Sequence, residues 1–328
     1  VCPARDRVCL KKHLACLGEH RAYAVEDRVH EKKHHVYAAG DRARPIGDLS
    51  HEKEDRVHPI ANLVHEKKDR AREKKHRGVM PAFPCNLPRV MSENLGFTSV
   101  ALQADALGEL LEAGFVVLPG LIAQERVTQL AKAYDVAVAN ASPADLRIGS
   151  TTTRVHDFVN RGPEFDELYV CPPVLEACRR VMGTPFKLSS FLARTVRPRT
   201  GPQPLHVDLL AEGEEWPLVG FIVMVDDFTA GNGATRFVPG SHRWHAAPDH
   251  AAELRADAVL ACGPAGSVIV YSGSVWHDHS ANRTGEPRRS LQGAYVGRDA
   301  ASATDWTACI RPDTLRRISP LAKSVLGV

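Results

Sequence analysis

The sequence predicts a mainly β fold with flanking helices, and three observations carry the expectation. Between residues 186 and 297, short runs rich in β-branched and aromatic residues alternate with Gly, Pro and Asn, the pattern of short strands joined by turns. Upstream, apolar residues recur at helical spacing in three segments. Inside the strand region, His206-Val207-Asp208 and, further on, His277-Asp278-His279 place potential metal ligands two residues apart. On a strand, side chains at that spacing leave the same face.

Residues 1–95 come first and stand apart in composition. Residues 1–90 hold 20 Lys and Arg against 13 Asp and Glu, whereas residues 91–328 hold 22 against 26. Short charged phrases return: Asp27-Arg28-Val29-His30 at 55–58, and Glu31-Lys32-Lys33 at 66–68 and 73–75. The few apolar residues keep no period, so the segment cannot bury enough surface to offset its ordering entropy. It is expected to be a basic, low-complexity, disordered leader. Met91-Ser92-Glu93-Asn94 reads as a natural start, which predicts that residues 1–90 are not native.

The helical approach, 96–186, follows. Ala104, Leu107, Leu110 and Leu111 predict a helix stopped at Gly114, and residues 115–120 a short strand and turn. Residues 123–139 predict a second helix, with Val127, Leu130, Ala131 and Tyr134 on one face. Residues 145–170 are polar and mixed and predict loop with short turns; Arg154 and His156 are expected there as surface residues, with the lining of a substrate mouth as the alternative. Pro172-Pro173 opens a third helix that runs to Met182 and ends at Gly183.

The β core, 187–297, has eight strand candidates, near 187–197, 204–209, 217–227, 234–239, 257–261, 267–271, 274–280 and 288–296. That many short strands favour a jelly roll or barrel. The C-terminal tail, 298–328, spaces Trp306, Ile310, Leu315, Ile318, Leu321 and Val325 as one or two amphipathic helices interrupted by Pro312 and Pro320. It is expected to pack across the barrel mouth, with a lid as the alternative.

Bulk properties narrow the function. The mildly acidic catalytic part gives no electrostatic case for binding nucleic acid. The eight Cys form no CxxC motif and predict reduced thiols. The N-terminus carries no apolar signal run, and no stretch approaches the ~18 apolar residues of a membrane span. A soluble, cytoplasmic protein without membrane contact is therefore expected.

Two His and one carboxylate on one side of a metal, with open positions opposite, describe a non-haem Fe(II) oxygenase site. His206 and Asp208 supply two of the three ligands, and His277 or His279 the third, since both share a strand face. Arg288 on the last strand suits a buried carboxylate, because a guanidinium can meet one bidentately. Ser290 lies two residues along the same face and offers a hydroxyl to that carboxylate. Arg289 should face the opposite way, into solvent.

The order and spacing of these residues resemble the phytanoyl-CoA dioxygenase family, within the Fe(II)/2-oxoglutarate oxygenases. The resemblance is carried by Leu205-His206-Val207-Asp208, by Asn232-Gly233 leading to Val238-Pro239-Gly240-Ser241-His242, and by Trp276-His277 with Asn282 and Arg288 beyond it. It spans about 205–290 and leaves residues 1–95 uncovered. It implies a double-stranded β-helix (a cupin-like jelly roll) with His206, Asp208 and His277 as iron ligands. His277 is preferred over His279 by its family spacing to Asn282 and Arg288. It further implies that Arg288 pairs with the far carboxylate of the cosubstrate 2-oxoglutarate, that Gln203 lies near the oxoacid or substrate, and that Asn282 braces a turn. His242 is expected to support a turn rather than bind metal.

The implied activity is oxidation, above all hydroxylation, of a small organic molecule with O2, releasing succinate and CO2. Related halogenases lack the carboxylate, so Asp208 argues for oxygenation. The substrate stays open between an acyl thioester, an amino-acid derivative and a secondary metabolite, and the oligomeric state is open as well. The cluster Arg194, Arg197 and Arg199 suits an anionic substrate or, equally, a solvated strand edge. Two rival functions are a metal-binding module without catalysis and a nucleic-acid-directed oxygenase guided by the basic leader.

Overall fold

The structure, a computed structural model, describes residues 97–99, 101–249 and 257–328. The expectations for the leader and for a start at Met91 lie outside these residues. The described residues belong to one unit, Phe83–Val328.

Helix α1, Ala104–Ala113, ends where Gly114 takes φ 84° and its N–H bonds Leu110 O. The left-handed turn needs glycine on two counts, since a Cβ there would also lie 2.4 Å from the His242 ring. The chain reverses at once into strand β1, Phe115–Leu118. Helix α2, Gln124–Ala139, and helix α3, Pro172–Met182, match the expected segments. Between them, the stretch expected as loop contributes strands β2, Leu146–Ile148, and β3, Thr152–Val155, along with single helical turns. Both strands are short, and the pairing of β3 with a long neighbour stabilises what its own polar sequence does not announce.

The remaining strands are β4, Phe186–Val196; β5, Leu218–Met224; β6, Thr235–Phe237; β7, Val259–Leu260; β8, Val268–Ser272; β9, His277–His279; and β10, Arg288–Gly297. Seven form one antiparallel sheet in the order β1-β8-β5-β10-β4-β3-β2, and three form another in the order β7-β6-β9. The eighth expected strand, 204–209, is a correction. It forms only an interrupted ladder along β9, with backbone bonds at Thr200–Asn282, Gln203–His279 and His206–His277. Pro202 and Pro204 lack the N–H groups that a continuous ladder would need.

The large sheet is apolar on both faces. Along β5, Val219, Phe221 and Val223 pack against the helices, while Ile222 and Met224 turn toward the small sheet. The inner cluster joins them to Phe115, Phe228, Phe237, Ile269 and Tyr271. The tail differs from expectation. It forms helices α4, Trp306–Cys309, α5, Pro312–Arg317, and α6, Pro320–Leu326. Trp306, Ile318, Val325 and Leu326 join the helix-side core, and the Trp306 indole N–H donates to Leu188 O at 2.8 Å. The tail therefore covers the outer face of the sheet and not a barrel mouth. Among the described residues, no helix is long and apolar enough to cross a membrane, and Cys171, Cys178 and Cys262 carry free thiols.

Candidate metal centre

His206 and His277 form a reciprocal backbone pair: His206 N–H to His277 O at 3.0 Å, and His277 N–H to His206 O at 2.9 Å. The bridge sets the two imidazoles side by side, with ring centroids 4.4 Å apart. Asp208 is fixed two residues on, where its N–H donates to Gly273 O at 2.9 Å. His206, Asp208 and His277 are the one group of three metal-ligating side chains gathered among the described residues, with their ligand atoms all within 4.8 Å of one another. Asp208 Oδ1 stands 3.8 Å from His277 Nε2.

The surroundings orient these donors. His206 Nδ1 lies 3.0 Å from Pro204 O, and His277 Nδ1 lies 2.9 Å from Val275 O. A carbonyl can only accept, so each Nδ1 carries the proton and each Nε2 is left as a lone-pair donor. Burial and then the neighbouring His277 push His206 down to about 3, so its ring is neutral at ordinary pH. Burial works to raise the Asp208 carboxyl, but His277, His206 and the Tyr271 hydroxyl outweigh it and hold the group below the usual carboxylate range. Tyr271 donates to Asp208 Oδ2 at 2.8 Å. Its ring passes so close to Gly220 on β5 that a Cβ there would meet it at 2.2 Å. Two imidazoles and one ionised carboxylate form the donor set that a divalent iron ion takes.

His279 is turned elsewhere. Its Nδ1 bonds Ser280 O at 2.9 Å and its Nε2 meets the Thr151 hydroxyl at 3.0 Å. Burial lowers it to about 4. The geometry thus gathers His277, and not its neighbour, with His206 and Asp208.

Arg288 is 1% exposed on the inner face of β10. Its guanidinium donates to Gly233 O at 2.9 Å and to Ser290 Oγ at 3.3 Å, and lies 4.0 Å from the centre of the Phe228 ring. Its Nε has no partner, and no carboxylate pairs with it among the described residues. Burial, and then Arg194, lower it to about 9. A buried cation left in this state is a fit for a carboxylate brought by a ligand. Ser290 departs from expectation. Its hydroxyl donates to Arg194 O at 3.1 Å, so it steadies Arg288 by accepting and has its proton already committed. Gln203 accepts from Arg194 Nη2 through Oε1, and its Nε2 lies 3.5 Å from His206 Nε2. Asn282 braces the turn as expected, donating to Glu286 O at 2.9 Å and accepting from Thr284 N at 3.0 Å.

The spacing of residues missed one group and left two open. Tyr271 lay unmarked in an apolar run. Arg194 is 9% exposed, and not a solvated edge residue. Arg154, expected at the surface, is half-buried on β3 directly opposite Arg194. Strand parity was the available signal, since Arg194 pairs with Ser290 and so shares its face. Arg289 does face away, yet it is not solvated: it pairs with Asp226 at 2.6 Å and with Asp135 at 2.7 Å.

Comparison with known proteins agrees with the geometry. A family model described as phytanoyl-CoA dioxygenase (PhyH) matches residues 110–290. Dioxygenase af480 of Aspergillus fumigatus is 26% identical over 239 residues, covering 68% of this chain and 76% of that protein. Dioxygenase FUM3 of Gibberella moniliformis is 30% identical over 205 residues, covering 55% of this chain and 67% of that protein. Among solved structures, the 2-oxoglutarate-dependent carbocyclase SnoK from nogalamycin biosynthesis is 22% identical with a TM-score of 0.53, covering 69% of this chain and 94% of that one. HygX from Streptomyces hygroscopicus is 16% identical with a TM-score of 0.51, covering 61% of this chain and 90% of that one. These two likenesses show the jelly-roll fold. The family match takes in more than half of the chain, including every residue just described from Arg154 to Ser290, and the chain belongs to the phytanoyl-CoA dioxygenase family, a class of non-haem iron enzymes that use 2-oxoglutarate.

Proposed function

We propose that the protein is an Fe(II)- and 2-oxoglutarate-dependent dioxygenase that hydroxylates a small organic molecule, with His206, Asp208 and His277 holding the metal. The observation that supports this most is the cluster of three donors within 4.8 Å of one another, together with the buried guanidinium of Arg288, which lacks a carboxylate partner among the described residues. Bound iron, with 2-oxoglutarate and O2, supplies the oxidising power and releases succinate and CO2. The chain's residues do the rest. Arg288, steadied by Ser290, Gly233 and Phe228, receives the far carboxylate of the oxoacid. The inner apolar cluster excludes water from that end. Asp208, with its side chain 34% exposed, marks the side open to substrate.

Asp208 supports oxygenation over halogenation, because it occupies the position where a halide would need room. A small-molecule substrate of secondary metabolism is supported by the neighbours of similar fold: SnoN is described in complex with nogalamycin RO and HygX with hygromycin B. The catalytic domain is proposed to comprise residues 96–328, with the basic leader outside its catalysis.

The test is anaerobic titration of Fe(II) and then 2-oxoglutarate, followed by succinate release on admitting O2. The wild type should bind both and make succinate, and His206→Ala should do neither. Succinate formation that survives His206→Ala would overturn the assignment.

A further inference from the structure

The inner face of the large sheet is covered unevenly. Along β10 its residues run Arg288, Ser290, Gln292 and Ala294, each two positions from the next. Arg288 and Ser290 are buried, whereas Gln292 and Ala294 are half-buried. Their partners on β4 follow suit. Arg194, opposite Ser290, is buried, while Leu192, opposite Gln292, and Ser190, opposite Ala294, are half-buried. The outer faces of both strands stay closed, with Phe191, Leu291 and Tyr295 in the helix-side core. Solvent therefore reaches a basin of four inner side chains, which begins where the arginine end stops. This basin borders the metal donors. Ala294 pairs with Gly220 on β5, and Gly220 with Tyr271 on β8. Gly220 has no side chain, and the Tyr271 ring lies over it. The hydroxyl of that ring holds Asp208. Neighbouring strands stand about 4.8 Å apart, so the ring comes up beside Ala294 with no side chain between them. On the other flank, Ile222 lies opposite Gln292 and belongs to the closed inner cluster.

We propose that Gln292 selects the substrate: its amide hydrogen-bonds an uncharged carbonyl or hydroxyl group of a molecule whose apolar remainder lies over Leu192 and Ala294. This deepens, and rests on, the reading of the site as an iron and 2-oxoglutarate centre. None of the residues paired along these two rows of β4, β10, β5 and β8 is charged. The arginines stand one row deeper, so an ionised substrate group would find no counter-charge in the basin. The Gln292 amide makes no hydrogen bond among the described residues and is left to meet a ligand. Small-molecule pockets are mostly apolar, and a few placed polar groups give them specificity. An analogue without the polar group would cover the amide and leave it unpaired, which is how such a site rejects it.

The experiment loads the full chain anaerobically with Fe(II) and 2-oxoglutarate and measures probe binding by equilibrium dialysis. Three probes share a two-ring apolar body: α-tetralone adds a carbonyl, tetralin adds nothing, and naphthoate adds a charge. The wild type should bind α-tetralone about three- to tenfold more tightly than tetralin, the worth of one neutral hydrogen bond. It should also prefer α-tetralone to naphthoate. Gln292→Leu should bind the two neutral probes equally, by weakening α-tetralone and not tetralin. A general disturbance of the fold would weaken both, so the ratio of the two affinities is the readout. Ala294→Leu, which fills the basin and keeps the amide, should weaken both neutral probes, and it carries the test should Gln292→Leu fail to fold. A preference for α-tetralone that survives Gln292→Leu overturns the proposal, as does unchanged binding of both neutral probes by Ala294→Leu. So does a wild-type chain that holds iron and 2-oxoglutarate yet prefers naphthoate or takes up neither neutral probe. A wild-type chain that binds neither iron nor 2-oxoglutarate instead removes the underlying reading, and this proposal with it.

Discussion

Tyr271 donates its hydroxyl to Asp208 Oδ2 at 2.8 Å, which leaves Oδ1 on the side of His277. Such outer partners commonly account for about 10–100-fold in metal affinity. Tyr271→Phe is therefore expected to weaken Co(II) binding by about that factor while keeping the fold. Equal Co(II) affinity in the two proteins would show that Asp208 needs no such restraint. Gly220→Ala should have a related effect, because its Cβ would displace the Tyr271 ring. Overpacking of this kind costs about 1–3 kcal/mol, measurable by denaturant titration. The three gathered donors were legible in the sequence because metal chemistry demands particular side chains in a particular order. Tyr271 was not, because its importance comes from which residues the fold brings against it, and Arg194 stayed open between an anionic contact and a solvated edge until its strand partners were known.

Arg289 shows the same limit at the level of elements. The alternation along β10 correctly turns it away from Arg288, but only the packing of α2 on the sheet reveals that Asp135 and Asp226 receive it. Arg289→Ala should loosen that clasp and lower stability by about 1–2 kcal/mol, leaving 2-oxoglutarate affinity unchanged. Long periodic helices such as α2 and α3 were readable from spacing alone. Strands β2 and β3 were not, since such short segments become strands through pairing at the sheet edge. Residues 204–209 erred in the other direction: the alternation was right and the two prolines broke the ladder. Several elements also bury neutral imidazoles. Burial holds His206 at about 3 and His242 and His279 at about 4, whereas an unfolded chain titrates them near 6.5. Between those values the unfolded state binds more protons, so stability is full above about pH 6.5 and falls as the pH drops toward 4. Thermal melts of the metal-free protein should therefore show a falling midpoint from pH 7 to pH 5, and His242→Gln should lessen the slope. A midpoint independent of pH across that range would contradict this account.

For the whole molecule, the family match begins at residue 110 and ends at 290, leaving the basic leader outside it. A chain starting at Met91 is expected to bind Fe(II) and 2-oxoglutarate like the full chain and to make succinate at the same rate. Loss of succinate formation on that deletion would instead give the leader a part in the reaction. The reciprocal backbone bridge between His206 and His277 has a further consequence for how the protein is made. Its two halves lie roughly seventy positions apart, and contacts of such separation form late because loop closure must come first. During synthesis the first His emerges long before its partner, so the growing chain carries no complete three-donor cluster. Metal binding at the proposed site is thereby expected only once the sheets have closed.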